Sequence, residues 1–482
     1  MTFTSAHLVA LLPIVVLGGA AIVVLLLAAF SPSRRVTTGA TAIALAATLA
    51  TLPIAARVIP LDVSPLIRID GAALLYTGLL VACTLGVLGL STAYLKGLGE
   101  SVGELCILLV TAALGAAVLS ASSHFASLFL GIELVSVSLF ALLAYARDEK
   151  PNLEASLKYV ILSGVSSAFL LFGIALVYTE LGTLEFARIA ELVPLESASS
   201  VYIAGGLGFV IAGIAFKMSL VPFHLWTPDV YQGAPAPITA FLATVSKGAV
   251  FVVLLRYFML ADAYAYRPLI VALSLLAGAS MLLGNVLALL QNNVKRILAY
   301  SSIAHIGYLL VAFIAGGAVA IESASYYLAA YLASSIGAFG VVAILSSGVE
   351  GETQTLREYR GLYWRRPWLA AVFSLMLLSL AGIPLTMGFV AKFYVVAASI
   401  DASLWVLLAL VIVGSGIGLF YYLRVLVTLY LEPDDVTPDG ARAAAAPSGH
   451  VVLAVASVAV IWLGIFPAQL IDVVRALAFT NG

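Results

Sequence analysis

Four ionisable side chains lie inside long apolar stretches of the sequence, where a charge is costly and therefore informative. Glu133 lies within FASLFLGIELVSVSLFALLAY, and Lys217, Lys247 and Lys392 lie in three further apolar segments. A lysine at the centre of a lipid bilayer costs about 2.5–3.5 kcal/mol on insertion scales, and buried ionisable residues in membranes are usually functional. We therefore interpret these residues as groups that bind and pass protons.

Charge can control proton transfer between such groups. Burial favours the neutral form of a lysine, and a nearby carboxylate favours the charged form. A lysine whose carboxylate partner can move away is therefore a switchable proton donor. We predict that Glu133 pairs with Lys217, and that weakening this pair drives the Lys217 proton towards Lys247. A static ion pair that only fixes helix packing is the alternative interpretation of Glu133.

Two histidines are further candidates for the relay, because histidine titrates near neutrality. His224 lies at a helix break in PFHLWTPD, and His305 lies within an apolar segment. A hydrogen bond to freed backbone carbonyls explains His224 equally well. The five histidines include no pair on one helix at a spacing typical of haem ligation. Polar residues that could hold water along the path are Asp229, Tyr231, Ser246, Tyr300, Ser301 and Ser302, and Arg424 is expected to extend to the membrane interface.

Long apolar helices must position these side chains. Of the 482 residues, 63% are hydrophobic and 10% are charged, and the mean hydropathy is +1.14. A soluble domain has about 25% charged residues, so the composition indicates an all-α polytopic membrane protein. About 20 apolar residues span a bilayer. Fourteen segments qualify: 7–30, 37–57, 71–95, 103–121, 124–146, 154–179, 200–230 (broken), 236–258, 267–290, 295–316, 321–347, 367–400 (broken), 401–431 and 449–471.

Proline interrupts two of these spans beside a lysine. Pro222 follows Lys217, and Pro384 precedes Lys392. Broken helices in a membrane are tolerated only where protein or a water-filled cavity covers the freed backbone. Corresponding breaks in two halves of a chain indicate a transport site. The sequence therefore predicts a hydrated, charged path through the middle of the protein.

A weak internal repeat supports this prediction. The lysines beside the two breaks are 175 residues apart. The same offset relates Glu133 to Tyr308, one helical turn from His305, and relates Lys247 to Tyr422. Each half therefore offers polar groups at related depths.

Several other functions are not expected. A net charge of −1 provides no basic surface for nucleic acid. The sequence has no GxGxxG followed by an acidic residue and no GxxxxGK[ST], so nucleotide binding is not expected. The two cysteines, Cys83 and Cys106, form no CxxC, which argues against a disulfide framework and a four-thiolate iron–sulfur cluster. The first apolar run lacks a basic leader and a cleavage site, so we interpret it as a retained span.

The loops predict one orientation in the membrane. With the N-terminus outside, thirteen of the 23 lysines and arginines fall on the cytoplasmic side, including Arg147, Lys295 and Arg442. Six fall on the outer side, including Arg68 and Arg256, and four fall within spans. Positive charge favours the cytoplasmic side, so both termini are predicted to lie outside. The acidic segment 180–200 is predicted to form a short surface helix, and 432–448 to be a linker.

Five segments give the chain a family resemblance. They are GIELVSVSLFALLAY (131–145), LEASLKYVILSGVSSAFLLFGIALVY (153–178), FKMSLVPFHLWTPDVYQGAPAPITAF (216–241), NNVKRILAYSSIAHIGYLL (292–310) and LLSLAGIPLTMGFVAKFY (377–394). Together they resemble the antiporter-like membrane subunits of respiratory complex I, the proton-pumping NADH:quinone oxidoreductase. Among these subunits, the pattern is most similar to that of bacterial subunit N.

The resemblance implies about 14 transmembrane helices that contain two inverted five-helix repeats, each with a broken helix, in a bacterial inner membrane. Residues 1–100 would be an N-terminal three-helix segment, 101–260 and 261–431 the two repeats, and 432–482 a linker and last helix. By match of motif, Glu133 is the carboxylate, Lys217 its partner, Lys247 the central relay and Lys392 the exit-side lysine. The resemblance implies no cofactor or metal on this chain, and places NAD, FMN, iron–sulfur clusters and quinone on partner subunits.

Three functions remain open at this point. The first is a proton-translocating subunit of a redox-driven complex, which has other membrane subunits, lipid, protons and water as its partners and binds no nucleic acid. The second is a subunit of a multi-subunit sodium/proton antiporter, which shares the same core motifs. The third is a scaffold that only holds neighbouring subunits and whose buried charges are static.

Overall fold

The structure, a computed structural model, describes residues 4–30, 33–96, 102–145, 150–196, 200–261, 263–346, 352–433 and 447–478. The helices are α1 (Ser5–Ala10), α2 (Leu12–Phe30), α3 (Arg34–Ala55), α4 (Gly71–Lys96), α5 (Val102–Ala121), α6 (Phe125–Leu143), α7 (Lys150–Leu181), α8 (Phe186–Glu196), α9 (Val201–Met218), α10 (Trp226–Gly233), α11 (Ala236–Phe241), α12 (Lys247–Leu260), α13 (Arg267–Leu289), α14 (Val294–Ile314), α15 (Gly317–Ser346), α16 (Leu356–Tyr359), α17 (Leu362–Arg365), α18 (Pro367–Ala381), α19 (Met387–Asp401), α20 (Trp405–Tyr430), α21 (Pro447–Ile465) and α22 (Ala468–Ala478). A π-helical turn (Leu242–Ser246) joins α11 to α12, and a short 3₁₀ turn (Ala263–Ala265) precedes α13.

The predicted fold class is confirmed. Thirteen helical runs in the described part of the chain are long and apolar enough to cross a membrane. The remaining predicted span, 367–400, is divided between α18 and α19, which are shorter. The predicted broken span 200–230 is divided between α9 and α10, and the predicted surface helix in 180–200 is α8.

Three features were not predicted. Strands β1 (Leu61–Ser64) and β2 (Ile67–Ile69) form an antiparallel hairpin before α4. The last predicted span, 449–471, ends at Ile465, and α22 follows as a separate helix that packs against α4 and α15. The third feature is the π turn before Lys247. Most of the predicted linker 432–448, together with Arg147 and Arg442, lies outside the described residues.

Three helical runs form the centre of the molecule. Within an apolar stretch of 18 residues, 100% of the residues are buried in Ala236–Leu260 (α11, the π turn and α12), 94% in α14 and 89% in α15. The corresponding share in α2 and in α3 is 22%. The peripheral helices therefore present their apolar residues outward, as expected for surfaces that face lipid. The enclosed helices can hold polar groups away from lipid, and two of them carry Lys247 and His305.

The first helix break is closed by side chains that bind freed backbone groups. Helix α9 ends at Met218, and Ser219 adopts the left-handed conformation with φ of 63°. The Trp226 indole Nε1 donates to the Phe216 carbonyl at 3.1 Å, and the Val221 amide donates to Ser280 Oγ at 3.0 Å. These bonds replace intrahelical ones that the break removes, which is the condition for irregular backbone inside a membrane.

The second break is closed in a similar way. Helix α18 ends at Ala381, and Gly382 has φ of 85°. The ammonium group of Lys392 donates to the Ala381 carbonyl at 2.8 Å, and the Gly388 amide donates to Ser379 Oγ at 3.2 Å. A Cβ on Gly388 would lie 1.8 Å from the Ser379 carbonyl oxygen, so only glycine lets the two half-helices approach this closely.

Helices α13 and α14 also depend on glycine for their close contact. A Cβ on Gly284 would lie 2.8 Å from the Ala304 amide nitrogen and 2.9 Å from the Tyr300 carbonyl oxygen. A Cβ on Gly307 would lie 2.9 Å from the Ala277 carbonyl oxygen. Small residues of this kind let the backbones of membrane helices approach each other. This packing fixes the position of α14, which carries His305.

We predict that Gly284→Ala destabilises the protein by about 1–3 kcal/mol, because the new methyl group meets backbone atoms that cannot move aside. Thermal unfolding of the purified protein in detergent would measure the change. The matched control is Gly164→Ala on α7, where no heavy atom lies within 4 Å of the new Cβ. If both variants melt like the parent protein, then the glycine contact does not set the helix spacing.

Candidate functional site

Lys217 lies in the last turn of α9, directly before the first helix break, and its side chain is buried. Its ammonium group donates to Ser136 Oγ at 2.7 Å and to Ser163 Oγ at 2.6 Å. These serines belong to α6 and α7, so one ammonium group joins three helices. Both partners are neutral hydroxyl groups.

Glu133 lies on α6, three residues before Ser136, and is half-buried. Its carboxylate accepts a hydrogen bond from Ser167 Oγ at 2.6 Å, and Ser167 lies one turn beyond Ser163 on α7. Among the described residues, no direct ion pair joins Glu133 to Lys217, although the two charges are close enough to interact. Glu133 and Lys217, which were predicted to pair, therefore bind different serines: Glu133 binds Ser167 on α7, and Lys217 binds serines on α6 and α7.

Lys247 follows the π turn at the start of α12 and is fully buried. Its ammonium group donates to Ser302 Oγ at 2.7 Å and lies 5.1 Å from the centre of the Tyr231 ring. Ser302 Oγ lies 2.6 Å from the Tyr331 hydroxyl, which donates to the Ala243 carbonyl at 3.0 Å. The structure thus brings Lys247 together with two polar residues that the sequence suggested, Tyr231 and Ser302.

His305 continues the polar path on α14, one turn beyond Ser302. Its Nδ1 lies 2.6 Å from the Tyr327 hydroxyl, and its Nε2 lies 3.1 Å from the Tyr422 hydroxyl. Tyr422 in turn shares a hydrogen bond with Ser301. Both ring nitrogens therefore have hydroxyl partners, as required of a histidine that accepts a proton on one nitrogen and releases it from the other.

Lys392 lies on α19, across the second break from α18. Besides its bond to the Ala381 carbonyl, its ammonium group lies 5.3 Å from the centre of the Tyr308 ring. The rings of Tyr308 and His305 are 5.8 Å apart, so Tyr308 contacts both ionisable residues. The Tyr308 hydroxyl accepts a hydrogen bond from Asn285 Nδ2 at 2.8 Å.

Three of the sequence candidates lie apart from these contacts. His224 is buried at the first break, and its imidazole interacts with the backbone of Pro222. Asp229 forms ion pairs at 2.8 Å with both Lys158 and Arg296. Arg424, which is expected to extend to the membrane interface, donates to backbone carbonyls at the end of α13.

The sequence reasoning missed several hydroxyl groups that contact the candidate residues or their partners. Tyr327 and Tyr331 are four residues apart on α15 and therefore share one face of that helix. Ser163 and Ser167 have the same spacing on α7. Hydroxyl residues four positions apart within an apolar helix are therefore the sequence signal that could have identified these groups.

Two buried ion pairs were also missed. Lys295 and Arg256 were counted as loop charges, but both are buried. Lys295 pairs with Glu352 and also donates to the Ala234 carbonyl between α10 and α11. Arg256 pairs with Asp70 at 2.8 Å. The count of loop charges did not foresee this burial, because the carboxylate that covers each residue comes from a distant segment.

The fold and site together define a polytopic membrane protein with protonatable residues along its enclosed helices. Within the described ranges, no group of three or more His, Cys, Asp or Glu residues could hold a metal ion. The family model described as "NADH:quinone oxidoreductase/Mrp antiporter, TM" matches residues 122–418. The chain therefore belongs to this family of antiporter-like membrane subunits.

Solved structures support the assignment. A chain of respiratory complex I from Thermus thermophilus with bound aureothin is 31% identical, with a TM-score of 0.81 over 95% of this chain and 98% of that one. A chain of the membrane-bound sulfane sulfur reductase, an archaeal respiratory membrane complex, is 24% identical with a TM-score of 0.85 over 97% and 96%. A chain of the Mrp complex from Dietzia sp. DQ12-45-1b is 21% identical with a TM-score of 0.84 over 99% and 98%. The last two similarities show a shared fold.

We predict that Glu352→Ala destabilises the protein by about 3–5 kcal/mol, because it leaves the buried Lys295 ammonium group without its carboxylate. Thermal unfolding in detergent would measure the loss. The matched control is Glu191→Ala, which breaks an exposed pair with Arg188 and should change stability little. Equal effects of the two substitutions would contradict a structural role for the Lys295–Glu352 pair.

Proposed function

We propose that this chain is a proton-translocating membrane subunit, of the subunit N type, of a bacterial proton-pumping NADH:quinone oxidoreductase. One observation carries this proposal. Lys217 and Lys247 are buried and Lys392 is half-buried, and each ammonium group is held by hydroxyl or carbonyl oxygens rather than by a carboxylate. A lysine with neutral hydrogen-bond partners can be charged or neutral without leaving a buried counter-ion.

The contrast with the other buried cations supports this interpretation. Lys295 and Arg256 are as buried as Lys217 and Lys247, and each has a carboxylate partner. A buried charge that serves only packing is normally paired, because an unpaired one is strongly destabilising. The scaffold hypothesis accounts for the paired cations, but it gives no reason for Lys217 and Lys247, two buried lysines held by neutral groups.

A sequence of contacts suggests the order of the relay. The Tyr159 side chain interacts with both Ser163, which holds Lys217, and Ser246, which precedes Lys247. Lys247 then connects through Ser302 to the residues around His305. We propose that the proton passes from Lys217 to Lys247 along this route, and continues past His305 towards Lys392.

The position of Glu133 supports the presence of partner subunits. Leu130 and Val137, on either side of it on α6, are each 58% exposed. A carboxylate on a lateral apolar face is costly in lipid, so a neighbouring membrane subunit is expected to cover it. We propose that such subunits carry the flavin, the iron–sulfur clusters and the NADH and quinone sites, and that both termini of this chain lie on the outer side of the inner membrane.

A subunit of a sodium/proton antiporter is the second candidate, because the family includes Mrp antiporters and the chain shares their fold. Sodium is a hard cation that requires several oxygen ligands, typically carboxylates and carbonyls. The contacts from Lys217 to Lys392 centre on three ammonium groups, whose positive charge disfavours a bound sodium ion beside them, and this favours proton transfer.

We predict that Lys247→Ala leaves the complex assembled but lowers proton pumping at least about tenfold, because a central acid–base group is lost. The measurement is NADH-driven acidification of inverted membrane vesicles, normalised to NADH oxidation and to the amount of assembled complex. Arg188→Ala, at an exposed ion pair, is the control. Full pumping by an assembled Lys247→Ala complex would support the scaffold hypothesis instead.

We predict that Glu133→Ala and Lys217→Arg also preserve assembly and reduce pumping, because the first removes the carboxylate at the start of the proposed relay and the second alters the lysine beside it.

The same vesicles test the antiporter alternative. Sodium uptake driven by an imposed pH gradient in the absence of NADH would favour the Mrp type, whereas sodium-independent pumping would favour the complex I type.

A further inference from the structure

The hydrogen bonds that lead away from Lys247 have a defined direction. A charged lysine can only donate, so Ser302 Oγ accepts from the ammonium group and offers its own hydrogen to Tyr331. The Tyr331 hydroxyl then donates its single hydrogen to the Ala243 carbonyl at 3.0 Å. A peptide carbonyl has no proton to pass on, so the chain of donors stops there.

The π turn places the Ala243 carbonyl in this position. In a regular α-helix, the Lys247 amide would bind the carbonyl four residues earlier, which belongs to Ala243. Here the Lys247 amide donates to the Thr244 carbonyl, and the Ala243 carbonyl accepts the Tyr331 hydroxyl. Single π turns within α-helices occur frequently at functional sites. The irregular turn and the tyrosine therefore form one local arrangement beside Lys247.

A small cavity lies on another side of Tyr331. It has a volume of about 10 Å³, and its walls include His305, Tyr327, Tyr331, Ser334, Ser379 and Ala330. A water molecule needs about 10–15 Å³ and two to four polar partners. The volume is therefore at the lower limit for one water, whose polar partners would be the hydroxyl groups and the imidazole of the wall.

We propose that Tyr331 is a two-position relay that controls when the proton leaves Lys247, a step that rests on the proposed function. When the hydroxyl donates to the Ala243 carbonyl, the path is closed. When the hydroxyl turns towards a water in the cavity, it connects Ser302 through that water to Tyr327 and His305. The turn requires rotation about the C–O bond of Tyr331 and no movement of its ring.

The proton balance of the open state is simple. Lys247 loses one N–H bond, and Ser302, Tyr331, the water and Tyr327 each gain one proton and release one. The Tyr327 hydroxyl donates to Nδ1 of His305, where the new N–H bond forms. The net change is one proton moved from the Lys247 ammonium group to the His305 imidazole.

The first test removes only the hydroxyl group. Tyr331→Phe should lower NADH-driven pumping of the assembled complex at least about tenfold, because it removes the relay atom. The matched control is Tyr326→Phe on the same helix, which also removes a buried hydroxyl bonded to a backbone carbonyl, that of Leu463 on α21. The control should pump normally. A Tyr331→Phe complex with normal pumping would overturn the proposal.

The second test closes the cavity and leaves Tyr331 unchanged. Ala330→Val adds two methyl groups to the cavity wall, whereas the control Ala329→Val adds them to an apolar groove of about 460 Å³ between α4, α15 and α21. We expect Ala330→Val to lower pumping as Tyr331→Phe does, and Ala329→Val to pump normally. If Tyr331 only positioned Lys247, filling the cavity would have no effect, and normal pumping by Ala330→Val would overturn the relay.

Lys247→Ala, measured in the same vesicles, separates this proposal from the proposed function. If Lys247→Ala abolishes pumping while Tyr331→Phe and Ala330→Val leave it normal, only the relay is wrong. If Lys247→Ala pumps normally, the proposed function itself is wrong. Each variant is compared at equal content of assembled complex, so loss of folding is scored separately from loss of proton transfer.

Discussion

Buried ammonium groups that have no carboxylate partner are the feature on which the rest of this structure depends. Removing a lysine from water is costly, and hydrogen bonds from neutral oxygens offset only part of that cost. Such groups persist only where the fold supplies these oxygens and excludes lipid. This requirement accounts for the almost completely buried helices at the centre, for the serines around Lys217 and for the tyrosines beside Lys247 and His305.

The two helix breaks meet the same requirement through the backbone. Lys217 lies in the last turn of α9, and the Lys392 ammonium group binds the last residue of α18. The C-terminal end of a helix carries partial negative charge, so both cations lie where the backbone stabilises them. The two helix breaks differ in the second group that lies near the lysine. Lys217 has Glu133 as a neighbour, whereas Lys392 lies over the ring of Tyr308, the residue that the 175-residue offset relates to Glu133.

The sequence predicted the helices and the principal charged residues because both follow from local composition. An apolar run of sufficient length forms a span, proline breaks it, and a charge within it stands out. Most partners of the buried ionisable groups were not predictable, because Ser163, Tyr327 and Glu352 reach theirs from segments distant along the chain. Lys295 and Arg256 showed the local pattern of interfacial residues, and only tertiary contacts make them buried. The π turn has no sequence signature of its own.

Hydroxyl partners also allow charge at one position to act on the next without large movements of helices. A hydroxyl group carries one hydrogen, so a charged lysine makes it an acceptor and a carboxylate makes it a donor. Lys217 thus makes Ser163 an acceptor, and Glu133 makes Ser167, one turn away on the same helix, a donor. When either residue gains or loses a proton, its serine is free to reverse, and the groups bound to that serine experience a changed dipole. Paired carboxylates would hold their lysines in one charge state, whereas in the relay proposed above the serines and tyrosines would let the charge state change and would transmit that change along the chain of hydrogen bonds.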